Sequence, residues 1–304
     1  MKRTVSITIS VLATIVLGWW LLRAVSLAEL LAALKQLPLS TLVIALVGYA
    51  VINLVRGVRA KLLLGAFTVK ELFFITNIHN MFVNLLPART GELSYFLMLK
   101  KRGITLGATV GTLAAARVFD LFGIALILLV ASLATPLPTP LAQLELPLLL
   151  VVGALIAFLI LVLVFHDIIK RQFTGTSWFS RKCHEILESI HRLRSGKRVA
   201  GVFTCAVVIW MLQFSINTMV FQSLGLPIPL MHGFLAGALA ALISAVPIQG
   251  IVGFGTTEAI WTVALVSIGI TAEQGIAAGF VQHVVSLIAS VVLGIVGWVG
   301  LRKS

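Results

Sequence analysis

Long apolar runs without charge are the feature that most constrains this chain. The clearest run, from Leu146 to Phe165, contains no charged side chain, and about 20 such residues are what a helix needs to cross a bilayer. Charged residues are only 11% of the 304 residues, against 60% hydrophobic ones, which leaves too few polar groups to cover a water-soluble domain. We therefore predict an all-helical (all-α) integral membrane protein.

The apolar runs divide into continuous and broken ones. Glu71 to Met98 and Leu230 to Ile270 are interrupted by Pro and Gly near the middle, so neither fits one straight helix. The sequence therefore predicts six full transmembrane helices and two broken segments. The six predicted spans are Ile7 to Leu22, Leu39 to Val55, Thr105 to Leu133, Leu146 to Phe165, Val199 to Leu224 and Ala272 to Leu301.

The first span could instead be a cleaved secretory signal, because Lys2 and Arg3 precede it and the residues 24–26 resemble a cleavage site. The run is longer than a usual signal core and Arg23 follows it at once, so we expect a retained helix. After it, leucines recur at helical spacing from Leu27 to Leu34. This pattern predicts a short interfacial helix that ends at Pro38.

The basic residues set the expected orientation. The chain has 23 Lys and Arg against 10 Asp and Glu, a net charge of +13. Nucleic-acid binding would need these residues on one soluble domain, and the only long polar stretch is Asp167 to Arg198, so the positive-inside rule is the better explanation. Basic clusters at Arg56 to Lys61, at Lys100 to Arg102, in this loop and at the C-terminus are all expected on the cytoplasmic side. Both termini are then expected to be cytoplasmic, and the protein is expected in the cell (inner) membrane.

With this orientation each broken segment must enter and leave the membrane on the same side. The first is expected to enter from the cytoplasm and the second from outside, which makes them re-entrant hairpins of an inverted-topology repeat. We expect one membrane domain over 1–304, with half-repeats at about 39–133 and 199–301. The cytoplasmic loop 167–198 lies between them, and no soluble catalytic domain is expected.

The two breaks have similar sequences. Asn84 to Glu92 and Val246 to Glu258 each place a proline before a glycine-containing turn, and then Thr-x-Glu before renewed apolar sequence. Thr90 and Thr256 are predicted as N-caps, with Glu92 and Glu258 in the first helical turns. These carboxylates could simply cap half-helices. The predicted hinge residues are Pro87, Gly91, Pro247, Gly250, Gly253 and Gly255.

Polar residues near the breaks are the candidate binding residues. Arg89 ranks first, because a guanidinium beside free backbone amides suits bidentate contact with phosphate. Arg117 and Asp120 could line a pathway or neutralise each other at i,i+3 spacing. Asn80 and Asn84 share a helix face and could line the cavity or join helices, and His283 could be a site residue or a neutral inter-helix contact. The candidate substrate-binding residues are Arg89, Glu92, Arg117, Asp120, Asn80, Asn84, Glu258 and His283.

At these residues the sequence resembles the transmembrane region of lysylphosphatidylglycerol synthases and related stand-alone flippase-like membrane proteins. The resemblance is carried by Asn-x-x-Pro-x-Arg-x-Gly-Glu at Asn84 to Glu92, by Arg-x-x-Asp at Arg117 to Asp120, and by Pro247 to Glu258. It extends from Leu39 to the end of the chain. Where the family commonly has arginine in the last long helix, this chain has His283.

The resemblance implies a flippase that moves lipids or lipid-linked head groups between leaflets, and the arginines near the breaks favour an anionic phospholipid or a lipid-linked phosphate head group. Arg89, Arg117 and half-helix amides would bind phosphate, while Glu92, Asp120 and Glu258 would balance charge or carry a coupled proton. The expected partners are membrane lipids, with a homo-oligomer possible and no nucleic acid. The synthases also carry an aminoacyl-transferase domain after the membrane region, and this sequence ends at Ser304, so we expect no enzymatic aminoacylation.

Two other functions stay open: a membrane-embedded transferase acting on a polyprenyl-phosphate-linked sugar, and a secondary transporter of a small organic anion. Enzyme motifs are weak. His184 to Glu188 lacks the second histidine of a zinc motif, and Gly250 to Gly255 lacks the lysine and strand of a phosphate-binding loop. We therefore expect no cofactor and no metal.

Overall fold

The computed structural model describes Trp19 and residues 25–65, 67–86, 90–135, 195–244 and 250–302, and within them it is helical with no strand. The predicted spans Ile7 to Leu22 and Leu146 to Phe165 lie outside these residues, apart from Trp19, as does nearly all of the basic loop. The described helices are α1 (Leu27–Gln36), α2 (Leu39–Leu64), α3 (Val69–Leu85), α4 (Glu92–Lys100), α5 (Leu106–Ala134), α6 (Gly196–Ser223), α7 (Leu230–Ile243), α8 (Thr256–Val266) and α9 (Ala272–Arg302).

Four of the described helices, α2, α5, α6 and α9, are long and apolar enough to cross a membrane. They correspond to four of the predicted spans, and three of them match the predicted bounds closely. The exception is α2, which continues nine residues past Val55 to Leu64. Arginine, lysine and leucine favour helix, and nothing interrupts the helix before Gly65, whose left-handed backbone closes its C-terminus.

The predicted short helix before the second span is α1. Ser26 and Glu29 form a capping box at its start, in which each side-chain oxygen accepts a hydrogen bond from the backbone N–H of the other residue. The Ser26 hydroxyl and then the Ser26 backbone N–H donate to the Glu29 carboxylate, which lowers the pKa of Glu29. Leu30 is the buried residue of α1 and packs against Ile276 of α9, so one face of the helix docks on the bundle.

Each broken segment forms two short helices that pack against each other: α3 with α4, and α7 with α8. Glu92 and Glu258 lie in the first turns of α4 and α8, as predicted. The prediction that Thr90 and Thr256 are the N-caps is wrong, because the cap positions are Gly91 and Gly255. The Thr256 hydroxyl instead donates to the Gly253 carbonyl and accepts from the Gly250 amide, closing the turn before α8.

The helix contacts follow a regular scheme. In sequence order, α2 to α5 make the first set of four helices and α6 to α9 the second. The contact between α3 and α9 corresponds to the contact between α7 and α5. Likewise, the contact between α5 and α6 corresponds to that between α9 and α2. The contact between α2 and α5 corresponds to that between α6 and α9. Helices adjacent in sequence within each set also pack in matching pairs, and α2 packs on α6. Exchanging the two sets therefore reproduces these contacts.

Candidate functional site

A cavity of about 420 Å³ lies between these helices. A volume of this size is typical of a binding site for a small molecule or a head group. Its wall is unusually polar for a bundle of apolar helices, and polar or charged residues inside membrane segments usually mark a pathway. The polar and charged lining residues are Tyr49, Asn53, Arg56, Arg59, Thr76, His79, Asn80, Asn84, Tyr95, Thr112, Arg117, Asp120, Trp210, Gln213, Asn217, Ser244, Thr257, Trp261, Gln282, Ser286 and Ser290.

Arg59 and Asp120 form a buried ion pair in the cavity wall. The Arg59 Nη1 donates to Asp120 Oδ1 at 2.5 Å, and the indole Nε1 of Trp210 donates to the same oxygen at 3.0 Å. The pair therefore joins α2, α5 and α6. Arg59 had been expected in a cytoplasmic connection together with Arg56 and Lys61, but it is only 7% exposed and lies within α2. The free energy cost of burying the Arg59 charge is offset by the carboxylate of Asp120, which lies 61 residues further along the chain.

Arg117 pairs with Glu92 instead of with Asp120. Its Nη2 lies 3.4 Å from Glu92 Oε1, which joins α5 to the first turn of α4. The Arg117 side chain is 59% exposed and also lines the cavity, so it lies at the mouth of the cavity within the described part of the chain. The i,i+3 neutralisation considered for Arg117 and Asp120 is wrong, since each residue has a partner on another helix.

Arg56 is the third arginine of the cavity. Its guanidinium donates to Asn53 Oδ1 at 3.4 Å, and among the described residues it forms no ion pair with a carboxylate. The other two arginines each form an ion pair, Arg59 with Asp120 and Arg117 with Glu92. Arg56 is therefore the arginine of the described cavity that forms no ion pair and can bind an anion, although the Asp120 carboxylate also acts on its charge from beyond ion-pair distance.

Amide side chains form the rest of the polar wall. Asn53 donates to Asn77 Oδ1 and accepts from Asn80 Nδ2, both at 2.7 Å, which holds α2 against α3. Asn84 Nδ2 donates to Ser290 Oγ at 2.5 Å, which holds α3 against α9. The two asparagines predicted from the sequence thus both line the cavity and join helices.

A second amide cluster lies between α2, α6 and α9. Gln213 and Gln282 each donate through Nε2 to the Tyr49 hydroxyl and to Asn217 Oδ1, at distances of 2.7 to 3.2 Å. The side-chain oxygen of Gln282 is buried without a hydrogen-bond partner among the described residues. The cluster fixes the packing of three long helices around the cavity.

Glu258 and His283 form a separate buried pair. Glu258 Oε1 lies 2.7 Å from His283 Nδ1, and His283 Nε2 lies 3.0 Å from the Val252 carbonyl oxygen. Neither residue lines the cavity, although Thr257 and Gln282, their neighbours in the chain, do. Of the predicted binding residues, Asn80, Asn84, Arg117 and Asp120 therefore meet in the cavity, Glu92 contacts its mouth, and this pair lies behind its wall.

The described hinge glycines serve different purposes. A Cβ on Gly91 would lie 2.1 Å from the Phe82 carbonyl oxygen, so glycine is needed for close approach of α3 to α4. Gly253 and Gly255 have φ of +84° and +80°, which favour glycine. Gly250 has φ of −64°, which any residue can adopt. Pro87, Pro247 and the leading candidate Arg89 lie outside the described residues.

Sequence reasoning missed several cavity residues whose spacing carries a signal. Tyr49, Asn53, Arg56, Ala60 and Leu63 follow one another at intervals of four and three residues and line the same face of α2. Trp210, Gln213 and Asn217 repeat this spacing on α6. Polar residues at helical spacing within an apolar helix would have marked both faces.

The comparisons with known proteins give the family. No curated protein matches the chain. The family model described as "Lysylphosphatidylglycerol synthase TM region" matches residues 5–294. This range contains all of α1 to α8 and all but the last residues of α9. The apolar helices and this match identify an integral membrane protein. The chain belongs to the family of lysylphosphatidylglycerol synthase transmembrane regions.

Proposed function

We propose that this protein moves a lipid with an anionic head group between the two leaflets of the membrane. Membership of its family indicates a role in lipid metabolism or transport. The observation that carries the proposal is the polar cavity among apolar helices, in which Arg56 lacks a carboxylate partner in the described residues. The head group binds there while the acyl chains stay in the hydrocarbon, where apolar surface is most stable.

The chemistry of the wall supports a phosphate-containing head group. Arg56 supplies a charged donor, and the guanidinium geometry matches two phosphate oxygens. The surrounding amide and hydroxyl groups of Asn80, Asn84 and Ser290 can hydrogen-bond to uncharged parts of the head group. A bound anion would stabilise Arg56, which has no ion-pair partner among the described residues, because such a cation is costly in a membrane-embedded cavity.

The helix contacts support an alternating mechanism. Exchange of α2–α5 for α6–α9 reproduces the contacts between them, as expected if the two sets are inverted repeats that rock against each other around a central site. In this proposal α3–α4 and α7–α8 are re-entrant hairpins whose breaks approach the cavity from opposite sides. The first hairpin contacts the site through the ion pair between Glu92 and Arg117. The second contributes Thr257 to the cavity wall.

The test is leaflet exchange of fluorescent phospholipids in liposomes that contain the purified protein. We expect protein-dependent exchange of phosphatidylglycerol, reduced at least about 10-fold in Arg56→Gln, because one charge-assisted contact contributes roughly 1.5–3 kcal/mol. Arg198→Gln is the matched control, since Arg198 is exposed near the start of α6 and should exchange lipid like the unmodified protein. Equal exchange by Arg56→Gln and the unmodified protein would contradict the site assignment.

A further inference from the structure

The buried pair of Glu258 and His283 is not used by head-group binding as described above. Glu258 is 0% exposed and His283 4%. The imidazole lies between Glu258 Oε1 on one side and the Val252 carbonyl oxygen on the other. The ring of Phe254 covers it, with ring centroids 4.8 Å apart. The pair therefore joins α8, α9 and the turn at Ile251–Gly253.

These two contacts determine how many protons the pair holds. A carbonyl oxygen only accepts hydrogen bonds, so His283 Nε2 must carry a hydrogen. Nδ1 then either donates to an ionised Glu258, as part of an imidazolium, or accepts from a protonated Glu258. In both arrangements one additional proton lies between Nδ1 and Oε1, and the pair has no net charge.

The second oxygen of Glu258 supports the uncharged arrangement. Oε2 is buried and has no hydrogen-bond partner among the described residues. Burying an ionised carboxylate with one oxygen that accepts no hydrogen bond costs much more free energy than burying a neutral carboxylic acid in the same place. The geometry thus places one proton between Glu258 and His283 in an apolar setting.

Loss of this proton would change the structure around the second break. If Nε2 kept its hydrogen, the Nδ1 lone pair would face a carboxylate. If the hydrogen moved to Nδ1, the hydrogen bond to Val252 would be lost. Val252 has φ of +56°, unusual for a residue with a branched side chain, so the turn depends on contacts such as this one. The protonated pair therefore holds the turn against α9.

We propose that Glu258 and His283 form a proton-binding site that couples head-group transport to proton movement, a proposal that rests on the proposed function. The proton is taken from water on one side of the membrane and returned to water on the other. Two other acidic residues, Asp120 in the cavity wall and Glu92 at the cavity mouth, are already paired with arginines. Thr257 and Gln282 transmit the change, since each adjoins the pair in the chain and lines the cavity.

Other titratable groups lie on helices that pack against α8 and α9, or on α9 itself. Of these, Tyr49 is connected most closely, because its hydroxyl accepts from Gln282. None of them forms a hydrogen bond or ion pair with Glu258 or His283 in the described part of the chain. They are Glu29, Lys35, Tyr49, Arg56, Arg59, Lys61, Lys70, Glu71, His79, Lys197, Arg198, Cys205, His232, Glu273 and Arg302.

The test compares Glu258→Gln with the unmodified protein in liposomes with and without a pH gradient. Glutamine has the same shape, and its amide can donate permanently to Nδ1. We expect the gradient to increase net movement of phosphatidylglycerol by about 5-fold or more in the unmodified protein, and to have no effect in Glu258→Gln. Glu273→Gln, an exposed change in the first turn of α9, should keep the gradient response. A full response in Glu258→Gln would overturn the proposal.

A second measurement separates failure of the proton site from failure of the proposed function. Nitrogen NMR of protein labelled at histidine reports the protons on each ring nitrogen, and His283→Gln identifies the signals of His283. We expect Nε2 to carry a proton and a pH-dependent transition of the ring that disappears in Glu258→Gln. If no lipid is exchanged but this transition is present, only the transport proposal fails. If the transition is the same in both proteins, the proton site is wrong.

Discussion

Asp120 shows how a single side chain holds several helices together. It accepts from Arg59 on α2 and from Trp210 on α6, and its own helix is α5. Both members of the ion pair are almost fully buried. Removing one member of such a pair is far more costly than replacing both, because the remaining charge stays buried without compensation.

We therefore expect Asp120→Asn to destabilise the protein by about 3–5 kcal/mol. In the double variant Arg59→Met with Asp120→Leu, most of this loss should be recovered, because neither member of the pair is left as a buried charge without its partner. The measurement is thermal unfolding of the purified proteins in detergent. A double variant less stable than Asp120→Asn alone would show that the ion pair itself provides the stability.

At the scale of elements, α5 has one face on the cavity and another face exposed at the surface of the described helices. Ala116 lines the cavity, while Ala114 is exposed at almost the same depth. Two residues along a helix correspond to a rotation of about 200°, so the two side chains point in opposite directions. The helix is thus expected to have one wet face and one face against acyl chains.

Thiol labelling tests this expectation in a background without Cys183 and Cys205. A membrane-impermeant thiol reagent should modify Ala116→Cys in intact membranes, because water fills the cavity, and should leave Ala114→Cys unmodified. Prior addition of a lipid with an anionic head group should slow labelling at position 116. Equal labelling at the two positions would contradict a water-filled cavity on this face of α5.

The bounds of α5, α6 and α9 were predictable because local chemistry sets them. Thr105 caps the start of α5, and Pro and Gly interrupt the broken segments. The end of α2 was misplaced because Arg56 and Arg59 were interpreted as a water-exposed connection. What stabilises Arg59 inside a helix is Asp120, and a pairing over such a sequence separation has no local signal.

The candidate site was predictable in part for the same reason. Asn80, Asn84, Arg117 and Asp120 were found from their position near the breaks, and all four line the cavity. Their partners were not found, since Glu92 and Arg59 are chosen by tertiary packing and not by spacing along one helix. Arg56 was missed although its spacing from Asn53 and Tyr49 repeats the period of a helix face.

At the scale of the whole molecule, the central cavity lies where the two sets of helices meet. Each set contributes polar side chains, with the arginines on α2 and α5 and most of the glutamine and serine residues on α6 and α9. The positive charge of the site is therefore contributed by the first set of helices. We expect the charge of Arg56 to select an anionic head group. Reversing that charge should therefore reverse the selectivity.

The most direct test of this account is the ratio of exchange of phosphatidylglycerol to that of a cationic lipid with the same acyl chains, measured in liposomes for the unmodified protein and for Arg56→Glu. We predict that the ratio falls by about 10-fold or more, equivalent to about 1.4 kcal/mol, with exchange of the cationic lipid rising in the variant. An unchanged ratio, in a variant whose thermal unfolding matches that of the unmodified protein, would contradict the claim that Arg56 binds the head group.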